Sequence, residues 1–168
     1  MRRKDREVTE LAEIQEILDG CKTCHIAMID GASPYVVPMS YGYRLDGHTL
    51  TLYFHSAREG RKIDILRQND RVCFAISREG EPVTAETPCA SGYCFASVIG
   101  DGRAVFVEDG AEKNAALACV VKHQSGRDAS FAAEQQRTVT VFKIVSESFT
   151  GKRKTKPVIA SSQKSTTL

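Results

Sequence analysis

No stretch of the 168-residue sequence approaches the roughly 18 consecutive apolar residues that a membrane-spanning helix needs. Residues 1–7 are mostly charged, and no apolar segment typical of a secretory signal follows them. The formal net charge is only +2, which gives no reason to expect nucleic acid or a membrane surface as a partner. We therefore expect a cytoplasmic protein with neither nucleic acid nor membrane among its partners.

Common catalytic and metal-binding motifs are also missing. The sequence contains no Walker-type loop, no Rossmann fingerprint, no paired zinc-ligand spacing and no Ser–His–Asp order in a suitable context, and we predict no metal site. One motif matches literally, because Cys21-Lys22-Thr23-Cys24-His25 is the C-x-x-C-H sequence of c-type haem attachment. Such attachment accompanies export, and a thioredoxin-like pair would follow a strand rather than a helix. We interpret the cysteines as structural thiols in a reducing compartment.

The length suits one domain, predicted over residues 1–153 and followed by a polar tail at residues 154–168. Helical spacing of apolar residues predicts three helices, with Thr9 and Asp109 as the N-caps of the first and last: residues 9–19, 59–68 and 111–122. Six strands are predicted from β-branched and alternating segments: residues 26–29, 34–44, 49–54, 72–76, 93–107 and 138–149.

The order of these elements indicates the fold class. Two Asp-Gly turns are predicted to join the first three strands into a meander. Residues 77–92, rich in Gly, Pro, Ser, Thr and Glu, are predicted to form a long exposed loop. Gly100 and Gly102 indicate a bulge or barrel corner within the fifth strand. Hairpins at the start of the chain, in place of alternating strands and helices, favour a small antiparallel β-barrel with helices packed outside.

The segment at residues 55–62 carries the sharpest physical indication of a binding site. A helix N-terminus has free backbone N–H groups and a partial positive charge, so cations are normally disfavoured there. Yet Arg58, Arg61 and Lys62 crowd the start of the predicted helix. Ser56 offers a hydroxyl just ahead of them, and Gly60 permits close backbone approach. An anion bound at that end would turn the repulsion into attraction, whereas the alternative is a solvated basic helix start.

The second predicted strand has two different faces. One face is bulky and suits a core: Tyr35, Val37, Met39, Tyr41 and Tyr43. Three of the four residues on the other face are small: Val36, Pro38, Ser40 and Gly42. A flat ring could lie against this second face, although an edge strand near a barrel corner explains the pattern equally well. Together with a phosphate site on the next hairpin, the face suggests a nucleotide or a flavin.

Four blocks of sequence, taken in order, carry a family resemblance: residues 34–43; residues 52–57 with 60–62; residues 97–100 with 102–104; and residues 112–113 with 122–126. In these blocks the chain resembles the flavin-binding split-barrel proteins related to pyridoxamine 5′-phosphate oxidase, and most closely the branch of the 5-nitroimidazole-resistance (Nim) proteins. The resemblance extends from about Glu10 to Arg153. It implies a homodimer of six-stranded antiparallel split barrels that binds FMN, or alternatively FAD, in the clefts between the subunits.

The same resemblance implies site residues. Four residues would line the isoalloxazine ring: Val37, Pro38, Met39 and Ser40. The ribityl chain and phosphate would lie near the second block: His55, Ser56, Ala57, Gly60, Arg61 and Lys62. Three further residues would be neighbours near the dimer cleft: Ser97, Val98 and Ile99. In the Nim branch the histidine at the position of His55 is associated with the active site, so His55 is the candidate catalytic residue.

The activity implied by the resemblance is that of a flavin-dependent oxidoreductase. Electrons would pass from a nicotinamide donor to a small organic acceptor, with a nitroimidazole as one such acceptor by analogy. The C-terminal substrate-binding pattern of the oxidases is missing, so we do not expect oxidation of pyridoxamine 5′-phosphate. The alternative is a split barrel that binds flavin or haem as a store or sensor without catalysis.

Overall fold

The computed structural model describes residues 3–155, which form a mainly β domain. Helices α1 to α4 are Leu11–Asp19, Arg61–Gln68, Gly110–Ser125 and Ala133–Arg137. Strands β1 to β8 are Glu7–Val8, Thr23–Asp30, Ser33–Ser40, Gly42–Asp46, Thr49–Ser56, Arg71–Val83, Gly92–Phe106 and Thr140–Lys154. All are in one antiparallel sheet with the order β3-β2-β6-β7-β8-β5-β4, in which β1 pairs with β8. The predicted antiparallel split barrel is confirmed, with eight strands in this range in place of six.

The sheet curls around a main core of apolar side chains, and a second, smaller buried cluster includes residues of α3 and β8. Leu50, Leu52 and Phe54 alternate along β5 and are fully buried, as the period of two requires for a strand with one inward face. Phe54 stacks on Phe142 of β8 with ring centroids 5.2 Å apart. Buried residues of α1, including Ile17, join the same core. The two end strands of the sheet, β3 and β4, do not pair with each other, so the barrel is open between them.

The predicted meander is wrong at its middle strand. The segment 34–44 forms two strands, β3 and β4, that lie at opposite ends of the sheet. They are separated at Tyr41, which is fully buried and donates a hydrogen bond to Leu18 O at 2.8 Å. At Gly42 a Cβ atom would lie 2.6 Å from the backbone of Cys119, so α3 packs directly against β4 there. These long-range contacts divide a segment that local alternation presents as continuous.

The predicted exposed loop at residues 77–92 is wrong for half of its length, because residues 77–83 and Gly92 belong to strands. Strand β6 continues to Val83 and pairs with β7 as far as Gly92, with a register shift between Glu79 and Pro82. Pairing with a neighbouring strand therefore overrides the turn-rich composition, and a bulge accommodates it. A second register shift, between Asp101 and Arg103, confirms the bulge predicted in β7.

The remaining boundaries differ by a few residues at the ends of elements. Helix α1 begins after Glu10 without a side-chain cap, so Thr9 is not its N-cap. Asp109 does cap α3, since its carboxylate accepts from Glu112 N at 2.8 Å. Strand β8 continues to Lys154 through its pairing with β7, and the rest of the predicted polar tail, residues 156–168, lies outside the described residues.

A search of the described helices for candidate membrane spans finds none long and apolar enough.

Candidate ligand site at the open side of the barrel

Ser56, the last residue of β5, has a side chain that the protein itself leaves unsatisfied. The residue is only 7% exposed, and its Oγ has no hydrogen-bond partner among residues 3–155. A buried hydroxyl without a partner costs on the order of 1–3 kcal/mol. A ligand that offers an acceptor atom here would recover that free energy.

The first turn of α2, which begins five residues after Ser56, presents further unused donors. Its N-cap is Gly60, at φ 132°, and no side chain caps the helix. The N–H groups of Ile63 and Asp64 bond to Gly60 O, whereas those of Arg61 and Lys62 have no backbone acceptor among the described residues. A Cβ atom on Gly60 would meet nothing within 4 Å, so the approach to the helix end is open. Free N–H groups at an open helix start favour an anion.

Arg61 connects this helix start to the β2–β3 hairpin. Its Nε donates to Asp30 Oδ2 at 2.8 Å, and its guanidinium carbon lies 4.4 Å from the centroid of the Tyr35 ring. An ion pair this exposed contributes little to stability, but it orients the guanidinium. Within the described residues Asp30 takes only the Nε–H, which leaves the terminal N–H groups for another acceptor. Lys62 is half-buried and has no ion pair among the same residues.

Strand β3 supplies the other half of the predicted site. It ends the sheet, so one of its edges has no neighbouring strand among the described residues. Val36, Pro38 and Ser40 are exposed on its outer face, while Val37 and Met39 pack against the core. The predicted alternation of small and bulky faces is therefore confirmed. Because the side chains of Val37 and Met39 face the core, a ligand at the edge of β3 would contact their backbone atoms more than their side chains.

His55 and Ser56 lie on opposite faces of β5. Ser56 continues the inward row of Leu52 and Phe54, whereas His55 is exposed on the outer face opposite Val141. A ligand group that reaches the Ser56 hydroxyl therefore meets the imidazole of His55 only by extending around the end of the strand. Ala57, which follows, is exposed.

The third predicted group, on β7, is distant from the other two within one chain. Strands β2 and β6 lie between β3 and β7, which corresponds to about 14 Å along the sheet at the usual strand spacing. Val98 is fully buried in the core, while Ser97 is half-buried and Ile99 is 50% exposed on the outer face. On β8, Ser97 pairs with Lys152 and Ser56 pairs with Thr140, which are 12 residues apart, so this group does not join the Ser56–Lys62 region in a single copy of the chain either.

The C-x-x-C-H segment has the features of a structural element. Cys21 and Cys24 are buried, and burial raises the pKa of the Cys24 thiol to about 12, which suppresses the reactive thiolate. His25 lies on the opposite face of β2 from Cys24 and is exposed. This geometry supports the interpretation of the pair as structural thiols.

His123, near the C-terminus of α3, anchors that helix to the barrel. Its ring centroid lies 4.6 Å from that of Tyr41, and its Nε2 is 2.9 Å from Cys21 O. The backbone oxygen of His123 accepts from Lys22 Nζ at 2.6 Å. The C-cap of α3 is Gly126, at φ 73°, and His123 packs against the barrel just before the end of the helix. The fourth sequence block therefore has a structural role in this region.

Burial lowers the pKa of His123, and this predicts a pH-dependent stability. The unfolded chain takes up a proton near pH 6.5, while the folded protein resists protonation until lower pH. The free energy of unfolding should therefore fall as the pH drops below about 6.5. His123→Gln should remove part of that fall between pH 7.5 and 5.5 in urea titrations, and His48→Gln, at an exposed position, should not. An unchanged pH dependence in His123→Gln would count against the assignment.

Comparison with known proteins places this geometry in a family. A family profile described as pyridoxamine 5′-phosphate oxidase matches residues 10–153. The chain belongs to this family. No protein of curated function matches the sequence significantly.

Solved structures extend the comparison. A candidate 5-nitroimidazole antibiotic resistance protein from Bacteroides thetaiotaomicron is 32% identical, with 88% of this chain and 86% of that chain covered and a TM-score of 0.76. A FAD-binding protein from Mesorhizobium loti is 25% identical, with 89% and 98% covered and a TM-score of 0.65. A flavocytochrome from Azotobacter vinelandii, 22% identical with 94% and 73% covered and a TM-score of 0.76, shares the fold. The resemblance to the Nim and oxidase families is confirmed.

Proposed function

We propose that this chain is a flavin-nucleotide-binding oxidoreductase that holds the phosphate of its flavin between Ser56 and the start of α2. The observation that carries the proposal is the buried, unpartnered hydroxyl of Ser56 beside the uncapped N-terminus of α2. The Ser56 hydroxyl and the free backbone N–H groups can donate hydrogen bonds to phosphate oxygens, and Arg61 and Lys62 add positive charge that attracts the phosphate. The FAD-binding relative from Mesorhizobium loti supports a flavin as the ligand.

Each residue of the site has a specific task in this proposal. Ser56 and the backbone N–H groups of Arg61 and Lys62 would donate to the phosphate, while Asp30 keeps the Arg61 guanidinium in place. The open edge of β3, from Val37 to Ser40, would border the ring system. A bound flavin would supply the redox chemistry, between a nicotinamide donor and a small organic acceptor. The exposed imidazole of His55 is the group best placed to exchange a proton with a substrate that approaches from outside.

A homodimer would complete the site, because Ser97 and Ile99 lie too far from β3 in one chain. The outer face of the sheet has a row in register, Pro38–His25–Ala75–Ile99, and half-exposed Val36 and Ile29 flank it. Apolar residues grouped in this way favour an interface. A second copy packed on this face would bring its own Ser97 and Ile99 towards the open edge of β3.

Ile99→Glu should therefore convert the dimer to a monomer and release flavin, as measured by light scattering after gel filtration and by absorbance. The control Val105→Glu changes another exposed apolar residue of β7 beyond the bulge, where we expect no effect on either quantity. A monomeric wild-type protein that retains flavin would exclude the dimer from this proposal.

The absorption spectrum of the purified protein tests the function as a whole. We expect flavin bands, with FMN or FAD identified by mass spectrometry of the released ligand. Reduced nicotinamide should bleach these bands without oxygen, and a nitroaromatic acceptor should restore them. A haem spectrum, or no chromophore after incubation with flavins, would contradict the proposal. A bound flavin that no donor bleaches would leave a flavin store or sensor and exclude the oxidoreductase.

A further inference from the structure

A polar cavity of about 440 Å³ adjoins the loop between β5 and α2. Its volume falls within the range of about 300–1,000 Å³ that is common for small-molecule sites. Arg58 and Glu59 of the loop form one wall, and α2, α3 and α4 contribute Arg67, Lys113 and Arg137. The cavity is distinct from the Arg61–Asp30–Tyr35 contacts, which lie towards the β2–β3 hairpin.

The charges around this cavity are unbalanced. Four cations line it, Arg58, Arg67, Lys113 and Arg137, against two carboxylates, Glu59 and Glu108. None of the four cations forms an ion pair with any described residue, although most other arginines in that range are paired. Cations gathered around one cavity repel each other, and the low-dielectric walls strengthen their field at its centre. Such a cavity favours an anion.

Two further features indicate which anion. The floor contains Val107 and Val141, both buried, with half-buried Val139 beside them, so the cavity offers an apolar surface as well as charge. Three of the four cations are arginines, whose planar guanidinium groups bind phosphate oxygens in pairs. An apolar surface beside several arginines suits the phosphate and base of a nucleotide.

The position of Arg58 links the cavity to the proposed flavin site. Arg58 precedes Arg61 by three residues, which span at most about 10 Å of extended chain. Thr140 Oγ1 of β8 lies 3.5 Å from the backbone oxygen of Arg58, so the loop lies next to β8 at the cavity floor. A ligand whose first phosphate lies at Arg61 and Lys62 could therefore place a second phosphate group beside Arg58.

We propose that this cavity binds a second nucleotide phosphate, supplied by the diphosphate of a dinucleotide flavin or by the nicotinamide donor. The proposal rests on the flavin function proposed above. In this proposal the loop at residues 57–60 separates two anion sites. Arg61 and Lys62 belong to one site, and Arg58 belongs to the other. The proposal also gives the choice between FMN and FAD a physical basis that residues 55–62 alone do not provide.

The test uses a cavity variant, Arg67→Gln with Arg137→Gln, in which both residues are exposed and lie outside the flavin phosphate site. The matched control is Arg44→Gln with Arg127→Gln, which removes two exposed arginines elsewhere. Flavin-free proteins are titrated with FMN, FAD and ADP, and the KM values for NADH and NADPH are measured on the flavin-loaded proteins. The control variant should match the wild type throughout.

An affinity for FAD and ADP reduced tenfold or more in the cavity variant, with FMN unchanged, supports the flavin diphosphate as the occupant. A KM for NADPH raised tenfold or more, with NADH unchanged, supports the donor phosphate. Unchanged values for FAD, ADP and NADPH overturn the inference, while the flavin function survives if the wild type binds FMN. If no flavin binds the wild type, the flavin function fails separately. In that case the cavity is tested by ADP alone. Loss of ADP binding in the cavity variant, with binding kept in the control, would support the cavity as a phosphate site. ADP binding that persists in the cavity variant would overturn the inference. The inference is also overturned if an acidic peptide displaces ADP but no nucleotide does.

Discussion

Replacing Arg61 and Lys62 by alanine should lower the affinity of the flavin-free protein for FMN by about 10- to 100-fold. A hydrogen bond to a charged group contributes about 1.5–3 kcal/mol, and about 1.4 kcal/mol corresponds to a tenfold change in Kd. The Arg61 side chain is 58% exposed, so solvent screening keeps the expected loss near the lower end for that residue. Fluorescence quenching of FMN on titration with protein measures the effect.

A matched control removes the same types of charge elsewhere. Arg44 and Lys122 also form surface ion pairs, with Asp46 and Asp128, and neither lies in the proposed site. Arg44→Ala with Lys122→Ala should leave the affinity for FMN within about twofold of the wild type. Asp30→Asn keeps the positive charge of Arg61 but weakens its orientation, and an intermediate loss is expected. Equal affinities for the wild type and the Arg61/Lys62 variant would remove the phosphate assignment.

Phe54→Ala should lower the free energy of unfolding by about 3–5 kcal/mol, the range typical of a buried phenylalanine. Phe54 is fully buried and stacks on Phe142, so its removal leaves a cavity at the centre of the barrel. Since the free energy of unfolding of a small domain is about 5–15 kcal/mol, this single change should remove a large share of it. Urea titration of the flavin-free protein, followed by circular dichroism, measures it.

The control for this variant is Val105→Ala, at a position that is 44% exposed on β7. We expect a change of less than about 1 kcal/mol there, because little apolar area is lost. A loss below about 1 kcal/mol for Phe54→Ala would show that the core around β5 is not packed as described. The same strand positions Ser56 at the proposed ligand site, so Phe54→Ala should also weaken flavin retention.

The segment at residues 55–62 could be identified from sequence as a candidate anion site because its signal is local. Three cations at a helix start conflict with the helix dipole wherever the rest of the chain lies, and only Ser56 and Gly60 were needed to suggest an anion. The two Asp-Gly hairpins were predictable for the same reason, since Gly31 and Gly47 adopt positive φ angles that their turns require. The structure adds what no local pattern contains, which is the contact of Arg61 with Asp30 and Tyr35.

The parts that sequence reasoning missed depend on long-range contacts. The division between β3 and β4 follows from the burial of Tyr41 against the end of α1 and from the packing of α3 on Gly42, and both partners are remote in sequence. The extension of β6 through Gly80 and Pro82 similarly depends on β7. The cavity beside Arg58 combines side chains from α2, α3 and α4, so spacing along the chain gives no sign of it.

Titration of the flavin-free protein with FMN and with riboflavin tests the central claim most directly. The two ligands share the ring and ribityl chain and differ only in the phosphate. If Ser56 and the start of α2 bind that phosphate, FMN should bind at least about tenfold more tightly than riboflavin. Most of this difference should disappear in the Arg61→Ala, Lys62→Ala variant and part of it in Ser56→Ala. Equal affinities of the wild-type protein for FMN and riboflavin would contradict the account.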